Sequence, residues 1–258
     1  MSMRLVFLGT SGIGLPLVGL ANPPSGSARH SSFCLVVQPS YPQPPTIVID
    51  AGPDFRHQWT TWGEAPPVPD AIIITHGDFD HIGGLAGILP PAPLPLYAPA
   101  FAIERLRQYA ALFPARPTLE AFRFDVHEVT PGQTTSVAGI AVETLTILRS
   151  GPANPDSGVL IRHQGRSFAH LSDTSYEIDA STRRAIEGVD VLVVNTPIME
   201  DTGYHIGIPT TVRLARDVGA RRLVISHRGH TVSDEALAEV VRDDPWVTIA
   251  QDGMVIDL

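Results

Sequence analysis

The sequence predicts an α/β layered sandwich, and three observations carry that prediction. Short apolar runs of β type open both halves of the 258 residues. Helical spacing of apolar residues enters each half only after its strands. Helices able to cover sheets on both sides then favour layers over an all-β barrel. No linker, tandem repeat or low-complexity tail divides the chain, so residues 1–258 are expected to form a single domain.

Taken in order, "MRLVFLG", "SFCLVVQ", "PTIVIDAG" and "DAIIITHG" read as strands separated by loops. A helix is expected at "IGGLAGIL", and the proline-rich "PPAPLPLYAP" reads as a connector carrying one strand. "AFAIERLRQYAALF" has helical spacing. Strands resume at "FRFDVHEV", "IAVETLTIL", "SGVLIRHQG" and "RSFAHLSDT". Helix and strand then alternate through "SYEIDASTRRAIEG", "VDVLVVNTP", "IPTTVRLARDVG" and "RRLVISHRG". A helix "SDEALAEVVRDD" and strands "WVTIA" and "GMVIDL" close the chain.

Composition narrows the function. The apolar fraction of 43% suits a globular core, and a net charge of −9 disfavours a general nucleic-acid binder, which needs a basic face. The one cysteine, Cys34, excludes an intrachain disulfide framework and a Cys-based zinc knot. It reads as a buried small hydrophobe in a reducing, cytoplasmic setting. The opening residues look superficially like a signal peptide, but "RLVFLGTSG" reads better as a strand entering a Gly/Ser turn. No stretch reaches the ~18 apolar residues of a membrane span. The expectation is a soluble, unprocessed chain.

Histidines and carboxylates gather where strands end, the places from which a rigid scaffold presents chemistry. His76, Asp78, Asp80 and His81 follow "AIIIT"; Asp173 follows "SFAHL"; His205 lies in the loop after "VLVVN"; His227 and His230 follow "RLVIS". Four strands thus deliver imidazole and carboxylate to their C-terminal ends, the donor set of a divalent-metal centre. His127, His163 and His170 read instead as structural histidines.

The segment "THGDFDHIGGL" resembles the HxHxDH metal-binding signature of the metallo-β-lactamase superfamily. The similarity extends over nearly the whole chain. "MRLVFLGTSG" resembles the opening of the ribonuclease Z and phosphodiesterase branch, and "IVIDAGPDFRHQ" the following strand and turn of the phosphonate-pathway cyclic phosphodiesterase branch. "HLSDTSY", "YHIGIPTTV", "LVISHRGH" and "DGMVIDL" resemble the bridging-aspartate segment, the late histidine loop, the last metal histidine and the closing strand. The resemblance implies a four-layer αββα sandwich.

Carried over residue by residue, the resemblance implies one metal site of Asp80, His81, Asp173 and His227. The other would take His76, Asp78 in place of the usual histidine, the shared Asp173 and a third histidine. "LRSGPANPDSG", where that third histidine would fall, has none; Asp156, Asn154 and Ser150 are the substitutes. The cysteine-bearing zinc loop of the phosphonate-pathway enzymes is also missing. A carboxylate at position 78 is harder than imidazole and shifts preference toward manganese, iron or magnesium; some diiron relatives place a glutamate there. The alternative is a turn residue in a lost first site. One or two divalent ions (zinc, manganese or iron) are therefore expected.

The implied reaction is hydrolysis of a small phosphodiester, cyclic ones included, by metal-activated water. Asp80 would orient the nucleophile, and His205 and His230 would protonate the leaving group and grip the anion. Asp54 would steady a ligand histidine or cap a turn, and Arg29 and His30 would meet a phosphate or lie on the surface. A lactonase or thioesterase, and a degenerate metal- or anion-binding member without turnover, are the alternatives. The partner expected is a small anionic substrate, with no nucleic acid and no membrane; a homodimer is left open.

Overall fold

Central strands of this chain are apolar on both faces, and that decides the layering. Along β2 (Cys34–Tyr41), Leu35 and Val37 point between two sheets while Cys34 and Val36 point into a helical layer. The period of two does this for every inner strand. The computed structural model describes residues 2–12, 32–43, 45–149, 155–229 and 232–258.

One seven-stranded sheet contains β1 (Ser2–Gly9), β2, β3 (Ile47–Ile49), β4 (Ala71–Ile73), β5 (Leu94–Pro99) and β6 (Phe124–Val129) side by side, with β14 (Met254–Asp257) beside β1. The other contains β7 (Thr134–Val137), β8 (Ile140–Ile147), β9 (Asp156–His163), β10 (Arg166–Asp173), β11 (Val191–Asn195), β12 (Leu223–Ser226) and β13 (Val247–Ile249) in that spatial order. Phe7, Phe33, Ile49, Ile73, Val159, Phe168 and Val193 fill the space between them.

On the outside, α1 (Phe55–Thr61) and α3 (Ala100–Ala110) pack Phe55, Ile103 and Leu106 against the first sheet. The second sheet carries α4 (Ala180–Ala185), α5 (Ile208–Asp217) and α6 (Asp234–Val241), with Ile186, Val212 and Leu237 in its outer core. The result is the metallo-β-lactamase fold, an αββα sandwich. Buried Cys34 faces the α1–α3 layer. Among the described residues no helix is long and apolar enough to cross a membrane.

Local chemistry accounts for the departures from the expected elements. The helix expected at 82–89 starts earlier, as α2 (Phe79–Ile82), and continues as a 3₁₀ turn over Gly83–Gly87. The helix expected from 175 begins only at Ala180, because the Asp179 carboxylate accepts from the amides of Ser181 and Thr182 and caps it there. The seven residues of α1 carry no side-chain cap and were not apparent from spacing. β7 is an edge strand with mostly polar side chains, which hid it.

The topology places the site. Strands β3 to β6 are parallel, as are β10 to β13. Their C-terminal ends meet at one edge of the sandwich, the position where parallel sheets present ligands.

Candidate metal centre

Asp50, immediately after β3, is fully buried and holds a left-handed backbone, φ 59°. Its Oδ1 accepts from the amide of Thr75 at 2.8 Å, and its Oδ2 accepts from the Thr75 hydroxyl and from His81 Nδ1, both at 2.8 Å. His81 Nδ1 therefore carries the proton toward Asp50, and Nε2 faces the cleft. This is the outer carboxylate that commonly orients a metal-binding histidine.

His76 is oriented the same way by hydroxyls. Ser172 Oγ donates to Thr75 Oγ1 at 2.7 Å, and Thr75 Oγ1 donates to Asp50. Both hydroxyl protons are thus spent, so His76 Nδ1, at 3.0 Å from Thr75 Oγ1 and 3.2 Å from Ser172 Oγ, must be the donor. The lone pair of His76 is on Nε2, which is buried and has no hydrogen-bond partner.

Three further side chains, His227, Asp80 and Asp173, converge beside these two. His81 Nε2 and His227 Nε2 are 3.0 Å apart, and His227 Nε2 is 3.1 Å from Asp80 Oδ2. His81 Nε2 lies 3.8 Å from Asp80 Oδ2 and 3.6 Å from Asp173 Oδ1, which is itself 3.7 Å from His227 Nε2. A tetrahedron of ligand bonds about 2.0–2.1 Å long has edges of about 3.3 Å, and these separations bracket that value. Among the described residues, Asp80–His81–His227 and His76–His81–Asp173 are the groups close enough to hold an ion.

The electrostatics ask for a cation. Burial opposes charge on His81, yet Asp50 and Asp173 outweigh it and push its pKa up to about 9. Burial likewise opposes charge on Asp173, but His227, His81, His76 and Arg149 hold its carboxyl well below the ordinary range. Burial, reinforced by His81, holds His76 well below an ordinary imidazole and so neutral, as a ligand must be. Asn195 Nδ2 donates to Asp173 Oδ1 at 3.0 Å and fixes that carboxylate.

Close backbone approach completes the frame. His227 has φ 57° and its ring lies against Gly12, where a Cβ would be 2.9 Å from Cε1 and Nδ1. The turn after β1 can pass the ring only as glycine.

His76, Asp80, His81, Asp173 and His227 are thus brought together. His205 joins them at the rim: its Nδ1 is 3.8 Å from Asp173 Oδ2 and the side chain is 27% exposed. Asp78 stands apart from both groups. Its Oδ2 is 3.7 Å from His76 Nε2 but accepts from Nη1 and Nη2 of Arg149, each at 2.9 Å. Asp156 is also turned to Arg149, at 3.4 Å from Nε, and burial pushes its pKa up to about 6. Asp54 does not steady a histidine; it accepts from the Ser32 amide at 2.8 Å and ties two loops together, and Asp50 has the orienting role instead. His230, Arg29, His30, Ser150 and Asn154 lie outside the described residues.

His170 is structural, stacked on Phe33 with ring centroids 5.1 Å apart. Its Nε2 is 3.2 Å from the Asn195 carbonyl oxygen, so it braces the amide that holds Asp173. Sequence reasoning missed Asp50, Asn195 and Arg149. Asp50 and Asn195 each left a signal, a polar side chain closing an apolar run, "IVID" and "VLVVN".

The profile of the β-lactamase superfamily domain matches residues 46–228, which contain every residue of this cluster. The chain belongs to the β-lactamase superfamily. Within it, a ribonuclease J from Thermus thermophilus is 27% identical over 181 residues, 64% of this chain, which spans only 28% of that protein. Ribonuclease BN of Cronobacter sakazakii is 27% identical over 281 residues, covering 93% of this chain and 85% of its own length. Two solved structures share the superfamily fold throughout. A diphosphatase of the PhnP family superposes with a TM-score of 0.81 at 23% identity, covering 100% of this chain and 98% of its own. Zinc-bound PqqB from Methylobacterium extorquens gives 0.80 at 20% identity, covering 99% and 100%.

Proposed function

We propose that the chain is a metal-dependent hydrolase of a small anionic phosphodiester. The observation that carries the reading is the convergence of Asp80, His227 and Asp173 on His81 Nε2, with His81 locked by Asp50. Two imidazoles and two carboxylates suit zinc, manganese or iron. An ion held there supplies Lewis acidity and lowers the pKa of water.

The chain's own residues supply the rest. Asp80 Oδ1 is buried with no hydrogen-bond partner, which supports a role in accepting a hydrogen bond from the attacking water and orienting it. His205 Nδ1 has no hydrogen-bond partner at the rim, and burial lowers its pKa, which makes its protonated form a stronger acid toward a leaving alkoxide. His230 is proposed to share that task. Relatives named as a diphosphatase and as ribonucleases favour a phosphorus centre. The net charge of −9 favours a small substrate over a polynucleotide.

Hydrolysis of an activated aryl phosphodiester, assayed with each ion in turn, tests this. Turnover is expected; Asp80→Ala should abolish it and His205→Gln should lower kcat by about 10²–10⁴-fold. Turnover of a lactone or thioester with none of the phosphodiester would overturn the phosphodiester assignment. Ion binding without turnover of any of them would make the chain a binding protein.

A further inference from the structure

We infer that the guanidinium of Arg149 replaces the first of the two ions this fold can carry, leaving a centre built for one. Arg149 follows β8 and extends into the cleft with its side chain only 11% exposed. Nη1 is 2.9 Å from Asp78 Oδ2 and 3.8 Å from Asp173 Oδ2, so it occupies the gap between these carboxylates. Nη2 is 2.9 Å from Asp78 Oδ2 and Nε is 3.4 Å from Asp156 Oδ2. Three carboxylates surround one permanent cation, as a buried charge requires.

A second observation comes from α2. Asp78 is its N-cap residue, in extended conformation, yet makes no side-chain cap. Aspartate at that position ordinarily accepts from the first turn of the helix; here the carboxylate is drawn to Arg149 instead. His76 and Asp173 make an ion-sized group only with His81, whose Nε2 is already shared with His227 and Asp80; a separate first ion would need His76 Nε2, Asp78 and Asp173 together, and a like charge already sits between these two carboxylates. The residues at the first position therefore do not fit a second ion beside the one that takes His81. His76 Nε2 lies 3.7 Å from Asp78 Oδ2 and 3.9 Å from Asp173 Oδ2, the two carboxylates that flank this cation. Asp78 is then a counter-ion for Arg149 and not a ligand, and no third histidine is needed.

The inference rests on the metal-dependent reading for Asp80, His81, Asp173 and His227, but its test needs no substrate. The chain is stripped with chelator, reloaded with excess manganese and freed of unbound ion. Manganese per chain is measured, and paramagnetic resonance separates an isolated ion from a coupled pair. Wild type, Arg149→Lys and Asp78→Asn should each hold about one ion with the isolated-ion spectrum, and Arg149→Ala should move toward about two with a coupled spectrum. Two ions in wild type would overturn the inference, as would about one in an Arg149→Ala protein that melts like wild type. If Arg149→Ala does not fold, wild type and Asp78→Asn decide. One ion in both supports the inference, and loss of an ion in Asp78→Asn overturns it. Absence of phosphodiester turnover with this stoichiometry intact would count against the proposed reaction alone.

Discussion

Asp50 and His81 are joined by a 2.8 Å hydrogen bond between two fully buried side chains, which leaves the imidazole only Nε2 to offer an ion. Asp50→Ala should therefore weaken metal affinity by about 10–100-fold while the four ligands remain. Competition with a chromogenic chelator measures this; unchanged affinity would remove Asp50 from the centre.

Without metal, His81 takes a proton where the ion would sit. Its folded pKa of about 9 exceeds the ordinary 6.5, so the stability this contributes is full below pH 6.5 and is lost as pH rises toward 9. Chelated protein should then show a urea midpoint that falls over that window, and metal-loaded protein should not. Parallel profiles for the two forms would contradict the assignment.

His170 has the opposite sign. Burial holds it neutral, with a folded pKa of about 4, so its contribution is full above pH 6.5 and is lost as pH falls toward 4. At about 1.4 kcal/mol for each tenfold step, the gap corresponds to about 3 kcal/mol. The difference in urea stability between wild type and His170→Gln should shrink as pH falls through that range. A difference independent of pH would rule out His170 as its source.

Gly12→Ala would set a Cβ 2.9 Å from the His227 ring and displace a ligand. Displacement of this kind should lower kcat/KM by about ten- to a hundredfold. Gly63→Ala, where a Cβ meets nothing within 4 Å, is the control and should be silent. Equal activity for both variants would show that the β1 turn does not set the position of His227.

Much of this was legible in the residue order. Unbroken apolar runs in "SFCLVVQ" and "PTIVIDAG" announce strands buried on two faces, because successive side chains point to opposite faces and all of them are apolar. Asp80 and His81 share one short segment, and Asp173 and His227 each close an apolar strand. Local spacing was less informative where a helix is set by its cap, as at Asp179, or is as short as α1.

What only the tertiary structure decided is who meets whom. Arg149 and Asp78 are 71 residues apart, His81 and His227 146 apart, and Asn195 reaches Asp173 across a strand pair. These meetings depend on the parallel ends of two sheets arriving at one edge, and no local pattern encodes that distance. Sequence alone therefore determined the layers and the donor types. Packing decided that Asp50 orients His81 and that Asp78 faces a guanidinium, because the partner of a buried charge is whichever opposite charge the fold brings within reach.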